Sequence, residues 1–534
     1  MKAAEIRLPV TLANPETTRM GFLHASMGLV VGYGLAAIGL AAGLIAGRAG
    51  REHWFQLPLL AAVLAVGVGA FCGLVARGLP AVNALLGLRG IAVGGALATF
   101  FAGVLAGRYA PRRTVGPRVE RGTRLLDARA PGATRPGNDH IRCAGQAVPA
   151  LDETKHFKLI GTTGTGKSTA IRELLRGALA RGDRVVIADP DGAYLAEFYD
   201  AARGDRILNP FEPRAMRWDL FGELRESYDG DLLARALIPD QGGDDRAWRS
   251  YARVLLSALL RQLQTAGCRN VATLHRLVTS APLEEMRILL DGTPAAPFLA
   301  DDNARFFASV RAIATAQLSV LEHLDRPAGA PLLSVRGWVR AGRDAHGGVV
   351  FLPYRASQIA TLRGIVSTWL RLAIFETMEL GEADHRLWFV IDELDALGAI
   401  DGLKDALARL RKFGGRCILG FQSIAQVSGT YGPADAQTIV ENCGNTLVLR
   451  CSAAENGGTA RFASKLIGER EVIRRQVSRS QGGAFEKASR SRSISLQHAT
   501  EPAVLAAEIE QLRDLEGYLK FASRPEWLKV RLRR

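Results

Sequence analysis

Cysteine is scarce in this sequence and shows no ligand-like spacing. The six cysteines stand at positions 72, 143, 268, 417, 443 and 451 of 534 residues, with no Cys-x-x-Cys pair and no nearby His-x-x-His pair. Structural zinc sites and disulfide frameworks need closely spaced ligands, so the spacing argues against both. Scattered thiols of this kind are typical of proteins in a reducing cytoplasm.

The sequence also lacks internal repeats of fixed period, which argues against a repeat architecture. The only compositionally biased segment in its second half is Arg474–Ser495, rich in Arg and Ser, which we interpret as an exposed loop or hairpin. A chain of 534 residues exceeds one typical domain, so two or three structural units are expected.

Acidic residues are fewer than basic residues in this chain. The chain has 68 Lys and Arg against 53 Asp and Glu, a formal net charge of +15. Such an excess favours an anionic partner, either nucleic acid or anionic lipid.

The mean hydropathy of the chain is +0.06 although 23% of its residues are charged. Apolar residues must therefore be concentrated in one part of the chain, and that part is the N-terminus.

Three uncharged runs near the N-terminus predict membrane-spanning helices. Met27–Gly47 and Leu57–Ala76 are each long enough to cross a hydrocarbon core, and Gly90–Gly107 is a shorter third candidate, rich in Gly and Ala. Basic flanks stay in the cytoplasm, and six arginines follow the third run: Arg108, Arg112, Arg113, Arg118, Arg121 and Arg124. The rest of the chain is therefore predicted to be cytoplasmic. Two spans would place both basic ends inside and three would place the N-terminus outside, and both alternatives stay open.

Composition and periodicity divide the remainder of the chain. Residues 1–111 are predicted to be the membrane anchor, and 112–150 a linker rich in Pro, Gly and Arg. Alternating strand-like and helix-like segments over 151–230 and 325–534 predict an α/β domain. The intervening residues 231–324 show helical periodicity without strong strands, which indicates an inserted all-helical subdomain.

A phosphate-binding loop follows the first predicted strand of the α/β domain. Residues 161–168, GTTGTGKS, fit the pattern G-x-x-x-x-G-K-[ST] between the strand His156–Ile160 and the helix Thr169–Ala180. Backbone amides and a helix N-terminus would bind the phosphates of ATP. Lys167 would contact the β and γ oxygens, and Ser168 would ligate Mg²⁺. The predicted nucleotide-binding residues are Thr163, Gly164, Thr165, Gly166, Lys167, Ser168 and Thr169.

An apolar strand with two acidic residues at its end supplies the second half of the predicted site. Residues 387–391, LWFVI, are followed by Asp392 and Glu393. Asp392 is predicted to hold Mg²⁺ and Glu393 to act as general base on the attacking water. Another strand ends at Asp189, which could face the same ion or simply form a turn.

Two further polar positions have competing interpretations. Gln422 ends the predicted strand Cys417–Phe421, where an amide could sense the γ-phosphate or merely terminate the strand. Arg411 lies in the last turn of a helix before Gly414 and Gly415, where a cation also stabilises the helix dipole.

These motifs, in this order, resemble the coupling proteins of bacterial conjugation and type IV secretion, a membrane-anchored branch of the hexameric DNA-translocase ATPases. The resemblance covers residue 155 to the C-terminus and rests on the segments GTTGTGKST, ADPDG, LNPF, VIDELDALGAI, RKFGGRCILGFQS and LEGYLKF. It implies a P-loop, RecA-like fold with an inserted all-α subdomain behind N-terminal transmembrane helices.

The resemblance also implies a function. It predicts ATP-driven and Mg²⁺-dependent delivery of DNA, single-stranded and linked to a relaxase, to a type IV secretion channel. The protein would be a homo-hexamer and a multi-pass protein of the bacterial inner membrane, with its ATPase domain in the cytoplasm. The family's trans-acting arginine corresponds best to Arg411, with Arg450 as second choice.

The sequence alone is also compatible with other functions. The same ATPase superfamily includes double-stranded DNA pumps and ring helicases, which share the phosphate loop and the acidic strand. A DNA- or protein-binding secretion receptor without hydrolysis is the alternative from a different class. The intact Lys167, Ser168, Asp392 and Glu393 argue against a receptor of that kind.

Overall fold

The computed structural model describes residues 37–43, 61–64, 66–68, 88–109, 118–128, 141–239, 245–325, 329–342, 348–383, 385–453, 458–481 and 490–533. The chain forms two compact units, Met1–Gly116 and Pro117–Arg534.

The described part of the first unit is helical. Short helical stretches occur at 37–43, 61–64 and 66–68, and helix α1 spans Leu88–Tyr109. Phe100 and Val104 of α1 are buried together with Ala61. Gly43 packs against the backbone of Phe100 so closely that a Cβ atom there would clash. Glycine is therefore needed where these two segments meet.

The predicted location, a multi-pass protein of the inner membrane, is wrong for the residues that the structure describes. None of their helices is long and apolar enough to cross a membrane. A spanning segment needs about 20 predominantly apolar residues in one continuous helix, and composition alone does not establish that continuity. In the predicted spans 27–47 and 57–76 the structure describes only residues 37–43, 61–64 and 66–68, and the other residues lie outside the described part. At the third span, α1 contains five glycines and has Arg89 and Arg108 within its bounds.

The strands, in chain order, are β1 Arg118–Gly122, β2 Leu125–Asp127, β3 Arg142–Cys143, β4 Gln146–Ala147, β5 Phe157–Ile160, β6 Arg184–Pro190, β7 Arg206–Ile207, β8 Arg217–Trp218, β9 Leu332–Leu333, β10 Val349–Tyr354, β11 Leu387–Ile391, β12 Gly415–Phe421, β13 Asn445–Val448, β14 Glu469–Gln481, β15 Arg490–Pro502, β16 Glu516–Lys520 and β17 Trp527–Arg531.

The helices after α1 are α2 Ala150–Glu153, α3 Lys167–Ala180, α4 Ala193–Phe198, α5 Asp229–Leu237, α6 Arg246–Thr265, α7 Val271–Thr279, α8 Leu283–Leu290, α9 Ala304–Gln317, α10 Val335–Arg340, α11 Ile359–Glu379, α12 Leu403–Leu410, α13 Ile424–Tyr431, α14 Pro433–Asn442, α15 Gly458–Ile467 and α16 Ala506–Glu510. Short 3₁₀ turns occur at Phe221–Glu223, Ala296–Leu299, Asp301–Asn303, Ser319–His323 and Arg411–Phe413.

A mixed sheet forms the centre of the second unit. Its strand order over the described residues is β2-β17-β16-β13-β5-β12-β11-β6-β10-β7. The seven strands from β13 to β7 are parallel, whereas β16 pairs antiparallel with β13 and with β17. The α/β nucleotide-binding fold is therefore present, with an antiparallel extension at one side.

The central strands are buried on both faces, as their continuous apolar sequences predict. In β11, Phe389 and Ile391 belong to one hydrophobic cluster, while Trp388 and Val390 belong to another. Because successive side chains of a strand point to opposite faces, these two clusters are the cores on the two sides of the sheet. Polar side chains can therefore reach solvent mainly where the strands end.

An all-helical segment interrupts the sheet-forming part of the chain. Helices α5 to α9 follow one another between β8 and β9, and these two short strands pair with each other in parallel. The β8–β9 pair therefore joins the two ends of the helical segment. The predicted linker 112–150 contains β1 to β4, of which β2 joins the main sheet beside β17. The domain division itself stays a prediction.

The Arg- and Ser-rich stretch falls in a second sheet. Strands β14 and β15 form an antiparallel pair, and β1 pairs with β14 on its other side. This hairpin contains part of the segment Arg474–Ser495, of which residues 482–489 lie outside the described part.

Candidate nucleotide site

The phosphate loop connects β5 to α3 with the backbone geometry that its glycines allow. Gly164 has φ +76° and Gly166 has φ +118°, a region that residues with a Cβ atom rarely adopt. A Cβ atom on Gly161 would lie 2.8 Å from the Cβ of Leu449. Thr165 is buried, and its hydroxyl donates to the carbonyl of Thr162 at 2.7 Å, which closes the loop on itself. Thr165 thus shapes the loop and does not line the cleft.

Lys167 is buried at the start of α3 and points back over its own loop. Its ammonium group donates to the carbonyl of Gly161 at 2.6 Å and, less closely, to that of Thr162 at 3.4 Å. Burial lowers the pKa of Lys167, and the carboxylates of Asp392 and Glu393 act in the opposite direction. The cation is therefore held among loop carbonyls near these carboxylates, where phosphate oxygens would replace weaker acceptors.

Asp392 is buried at the end of β11, and its two oxygens differ in their surroundings. Oδ2 accepts hydrogen bonds from Ser168 Oγ at 2.8 Å and from Tyr194 Oη at 2.7 Å. Oδ1 is buried and has no hydrogen-bond partner in the described part of the chain. An unsatisfied carboxylate oxygen beside a serine hydroxyl is a hard-oxygen donor set that suits Mg²⁺. Asp392 and Ser168 therefore fit the predicted ion.

Glu393 is half-buried and is oriented by an amide from the neighbouring strand. Gln422 Nε2 donates to Glu393 Oε1 at 3.0 Å, and Gln422 Oε1 accepts from Thr163 Oγ1 at 3.0 Å. Burial and the adjacent Asp392 raise the pKa of Glu393, whereas the hydrogen bond from Gln422 lowers it. A carboxylate of raised pKa is a stronger proton acceptor, which suits a general base.

Strand order explains why these residues meet. In the sheet β12 lies between β5 and β11, and Phe421 is paired with Ile160 while Ile391 is paired with Leu419. The residues that follow these parallel strands therefore emerge at the same edge. They line a cleft of about 240 Å³ that contains Thr162, Thr163, Gly164, Gly166, Lys167, Ser168, Thr169, Arg172, Asp392, Glu393, Gln422 and Leu515.

Asp189 anchors a helix instead of facing the predicted ion. Its carboxylate accepts the backbone N–H groups of Tyr194 at 3.1 Å and Leu195 at 2.7 Å. It therefore anchors the first turn of α4. Burial raises the pKa of Asp189 to about 6, and the nearby Asp392 contributes to that rise.

Sequence reasoning missed three residues of this region. Tyr194 contacts Asp392, and Arg172 lies over the Tyr194 ring and pairs with Glu197. Leu515 has φ +67°, and its N–H donates to the carbonyl of Thr165 at 2.9 Å. Leu515 begins a segment that supported the family resemblance, but only the fold shows that this segment covers the phosphate loop.

The two candidate arginines lie in different places. Arg411 is exposed in the 3₁₀ turn before β12, at the opposite end of that strand from Gln422. Seven residues of extended strand at about 3.3 Å each separate the two positions, so Arg411 does not reach the cleft of its own chain. Arg450 pairs with Asp514 at 2.7 Å, and its carbonyl accepts the N–H of Thr162 at 2.9 Å. Arg450 therefore supports the phosphate loop of its own chain.

Comparison with known proteins places this geometry in a family. The family model described as "Type IV secretion-system coupling protein DNA-binding domain" matches residues 140–533. The coupling protein TraD of Escherichia coli (strain K12) is 30% identical over 383 residues, which are 71% of this chain and 52% of TraD. The chain thus spans about half the length of that relative.

Solved structures agree with the same assignment. The unbound coupling protein TrwBdeltaN70 is 33% identical, with a TM-score of 0.68 over 78% of this chain and 93% of that one. TrwB in complex with ADP and Mg²⁺ is also 33% identical, with a TM-score of 0.66 over 78% and 94%. The family model covers most of this chain and confirms the resemblance seen in the motifs, so the chain belongs to the type IV secretion-system coupling proteins.

Proposed function

We propose that this protein is an ATPase that uses hydrolysis to move DNA to a type IV secretion channel during conjugation. The observation that carries the proposal is the buried Asp392, with one oxygen bound by Ser168 and the other without a partner among the described residues, in the cleft that contains Lys167. A charged group left partly unsatisfied is costly unless a ligand completes it.

Within this cleft each predicted residue has a distinct task. The amides of Thr163 to Thr169 and the ammonium group of Lys167 would bind the phosphates of ATP. Ser168 and Asp392 would hold Mg²⁺, which when bound neutralises the charge that develops on the phosphates. Glu393, oriented by Gln422, would take a proton from the attacking water. The complex of TrwB with ADP and Mg²⁺ supports a nucleotide and Mg²⁺ as the ligands of this cleft.

DNA is the proposed cargo because the matched family is defined by a DNA-binding domain and because the chain carries a net charge of +15. Contacts with phosphates would bind single strands without sequence preference. A relaxase linked to the strand and the components of the secretion channel are the proposed protein partners. The predicted domain division, with 231–324 as an inserted helical subdomain, is part of the same proposal.

A homo-hexameric ring would explain the position of Arg411. Since this arginine lies at the far end of β12 from its own cleft, it could contact a nucleotide only in a neighbouring subunit. Hydrolysis would then depend on assembly, because the arginine stabilises charge in the transition state.

The proposal is tested by ATP hydrolysis of the full-length chain with no DNA, with single-stranded DNA and with double-stranded DNA. We expect Mg²⁺-dependent turnover that single strands stimulate most. Glu393→Gln should retain nucleotide binding and lose about 10²- to 10⁴-fold in turnover, while Lys167→Ala should lose binding as well.

Glu284→Gln is the matched control, because Glu284 is an exposed carboxylate on α8, in the helical segment. Its turnover should equal that of the wild type. Nucleotide binding without turnover in the wild type would instead support a secretion receptor. Stimulation by double strands alone would support a DNA pump.

A further inference from the structure

The side chain of Tyr194 is buried beside Asp392, and Arg172 lies over its ring. Its relative exposure is 1%, and its hydroxyl donates to Asp392 Oδ2 at 2.7 Å. The predicted magnesium residues include no tyrosine, and a phenol is a weak ligand for that ion.

The turn after β6 places Tyr194 beside Asp392. Strand β6 lies beside β11, so the segment after β6 runs along the end of the strand that carries Asp392. Asp191 with φ +58° and Gly192 with φ +70° reverse the chain, and the carboxylate of Asp189 then accepts the N–H of Tyr194. The aromatic ring is therefore anchored at its backbone and held at its hydroxyl.

Two hydroxyl groups converge on the same carboxylate oxygen, but their roles differ once a cation is bound. Ser168 would ligate the ion through an oxygen lone pair, and its proton could still donate to Asp392. Tyr194 would not ligate the ion, so its hydrogen bond would serve only to fix the rotamer of Asp392. Hydrogen-bond donors behind a metal-holding carboxylate set its orientation and contribute strongly to metal affinity.

We infer that Tyr194 is a positioning residue for Asp392: its hydroxyl holds Oδ2 and so fixes the orientation of the carboxylate that would hold the magnesium ion of the nucleotide complex. The inference rests on the proposed function, because it assigns the role of Tyr194 within the same site. Tyr194 is not among the residues that line the cleft.

The matched comparison is between two tyrosines at neighbouring strand ends. Tyr354 ends β10, opposite Pro190 of β6, and is buried like Tyr194. Unlike Tyr194, its hydroxyl has no hydrogen-bond partner among the residues that the structure describes. Replacing either tyrosine with Phe removes one buried hydroxyl, but only at Tyr194 does that change remove a hydrogen bond to Asp392.

The experiment titrates Mg²⁺ into the full-length chain with a fluorescent ADP analogue, and titrates Mn²⁺ followed by electron paramagnetic resonance. We expect Tyr194→Phe to weaken the affinity of the nucleotide complex for either ion about 10-fold, while nucleotide binding without metal stays unchanged. Tyr354→Phe should match the wild type. Ser168→Ala, which removes a predicted ligand, should weaken the affinity at least as much as Tyr194→Phe.

Thermal unfolding without nucleotide separates positioning from packing. If Tyr194→Phe lowers the melting temperature and leaves both metal titrations at the wild-type midpoint, Tyr194 is only a packing residue and the inference is overturned. Equal weakening in Tyr194→Phe and Tyr354→Phe would overturn it too. If the wild type binds nucleotide with no dependence on metal, that result contradicts both the proposed function and this inference.

Discussion

Buried charges occur at both edges of the central sheet, and the two edges differ in how the described residues satisfy them. At the amino edge, Glu153 and Asp183 pair with arginines. At the carboxyl edge, Lys167 binds carbonyls of its own loop and Asp392 keeps one oxygen without a partner in the described residues. The two edges show that burial of charge alone does not indicate a functional site.

Hydrogen bonds and ion pairs link several charged groups at the amino edge. Arg181 donates to both oxygens of Glu153, at 2.8 and 2.7 Å, and also pairs with Asp183 at 2.6 Å. Arg416 donates to Glu153 at 3.0 Å, and Trp388 Nε1 donates to Asp183 at 2.9 Å. Bidentate pairs of this kind hold the strand starts together and leave little capacity for a ligand.

The carboxyl edge has the opposite character, which fits its proposed role of binding phosphate and a cation. Three of its contacts are ones that a nucleotide could replace or complete: carbonyls under Lys167, a serine hydroxyl on Asp392 and an amide on Glu393. The difference between the edges predicts that substitutions at one affect mainly stability and at the other mainly function.

Arg411 is an exception to this difference between the edges, because it lies at the amino edge and is proposed to act in catalysis. We expect Arg411→Ala to lower ATP turnover about 10³-fold or more while nucleotide binding is retained, since the transition state loses a cation. Steady-state hydrolysis and equilibrium binding of an ATP analogue measure the two effects.

Mixing subunits tests whether that arginine acts across an interface. Arg411→Ala and Lys167→Ala subunits should each be inactive alone, but a mixed ring of the proposed kind would contain interfaces with an intact cleft and an intact arginine. Turnover should therefore partly recover on mixing. Absence of recovery at every ratio would leave Arg411 as a cation at a helix end.

The second prediction compares stability at the two edges. Glu153→Ala should lower the free energy of unfolding by about 3–5 kcal/mol, because it leaves the buried Arg416 and the partly buried Arg181 without their shared carboxylate. Lys167→Ala should lower it by no more than about 1 kcal/mol, because burial of its ammonium group already opposes folding. Urea unfolding of the nucleotide-free proteins measures both values. Equal losses would contradict the distinction between the edges.

The third and smallest prediction concerns pH. Glu393 must be ionised to accept a proton, so turnover should fall as the pH drops through its raised pKa. The hydrogen bond from Gln422 stabilises the charged form and lowers this pKa. Gln422→Ala should therefore raise the pKa, move the acid limb of the kcat profile to higher pH, and reduce the rate most in acid.

Gln437→Ala serves as the control for that profile, because Gln437 makes the same kind of bond to Glu441 at 2.8 Å on the exposed face of α14. Its profile should coincide with that of the wild type. If the acid limb of Gln422→Ala also stays in place, Gln422 does not influence the ionisation of Glu393.

Much of the site was predictable because its parts are contiguous. The pattern at 161–168 and the apolar strand before Asp392 each occupy a few adjacent residues, so local periodicity was enough to identify them. The predicted membrane spans rested on the length of uncharged runs and on their basic flanks, and none of the described helices is long and apolar enough to cross a membrane. Tyr194 was missed because its contact spans 198 residues of sequence.

The sequence by itself determined the α/β class, the phosphate loop, the acidic pair and the family, since each depends on residue types in a fixed local order. Only the tertiary structure decided which residues complete the site. It placed β12 between β5 and β11, so that Gln422 meets Glu393, and it put Arg411 at the far end of the same strand. The physical reason is that the pairing of parallel strands joins segments far apart in the chain, and local periodicity does not specify strand order.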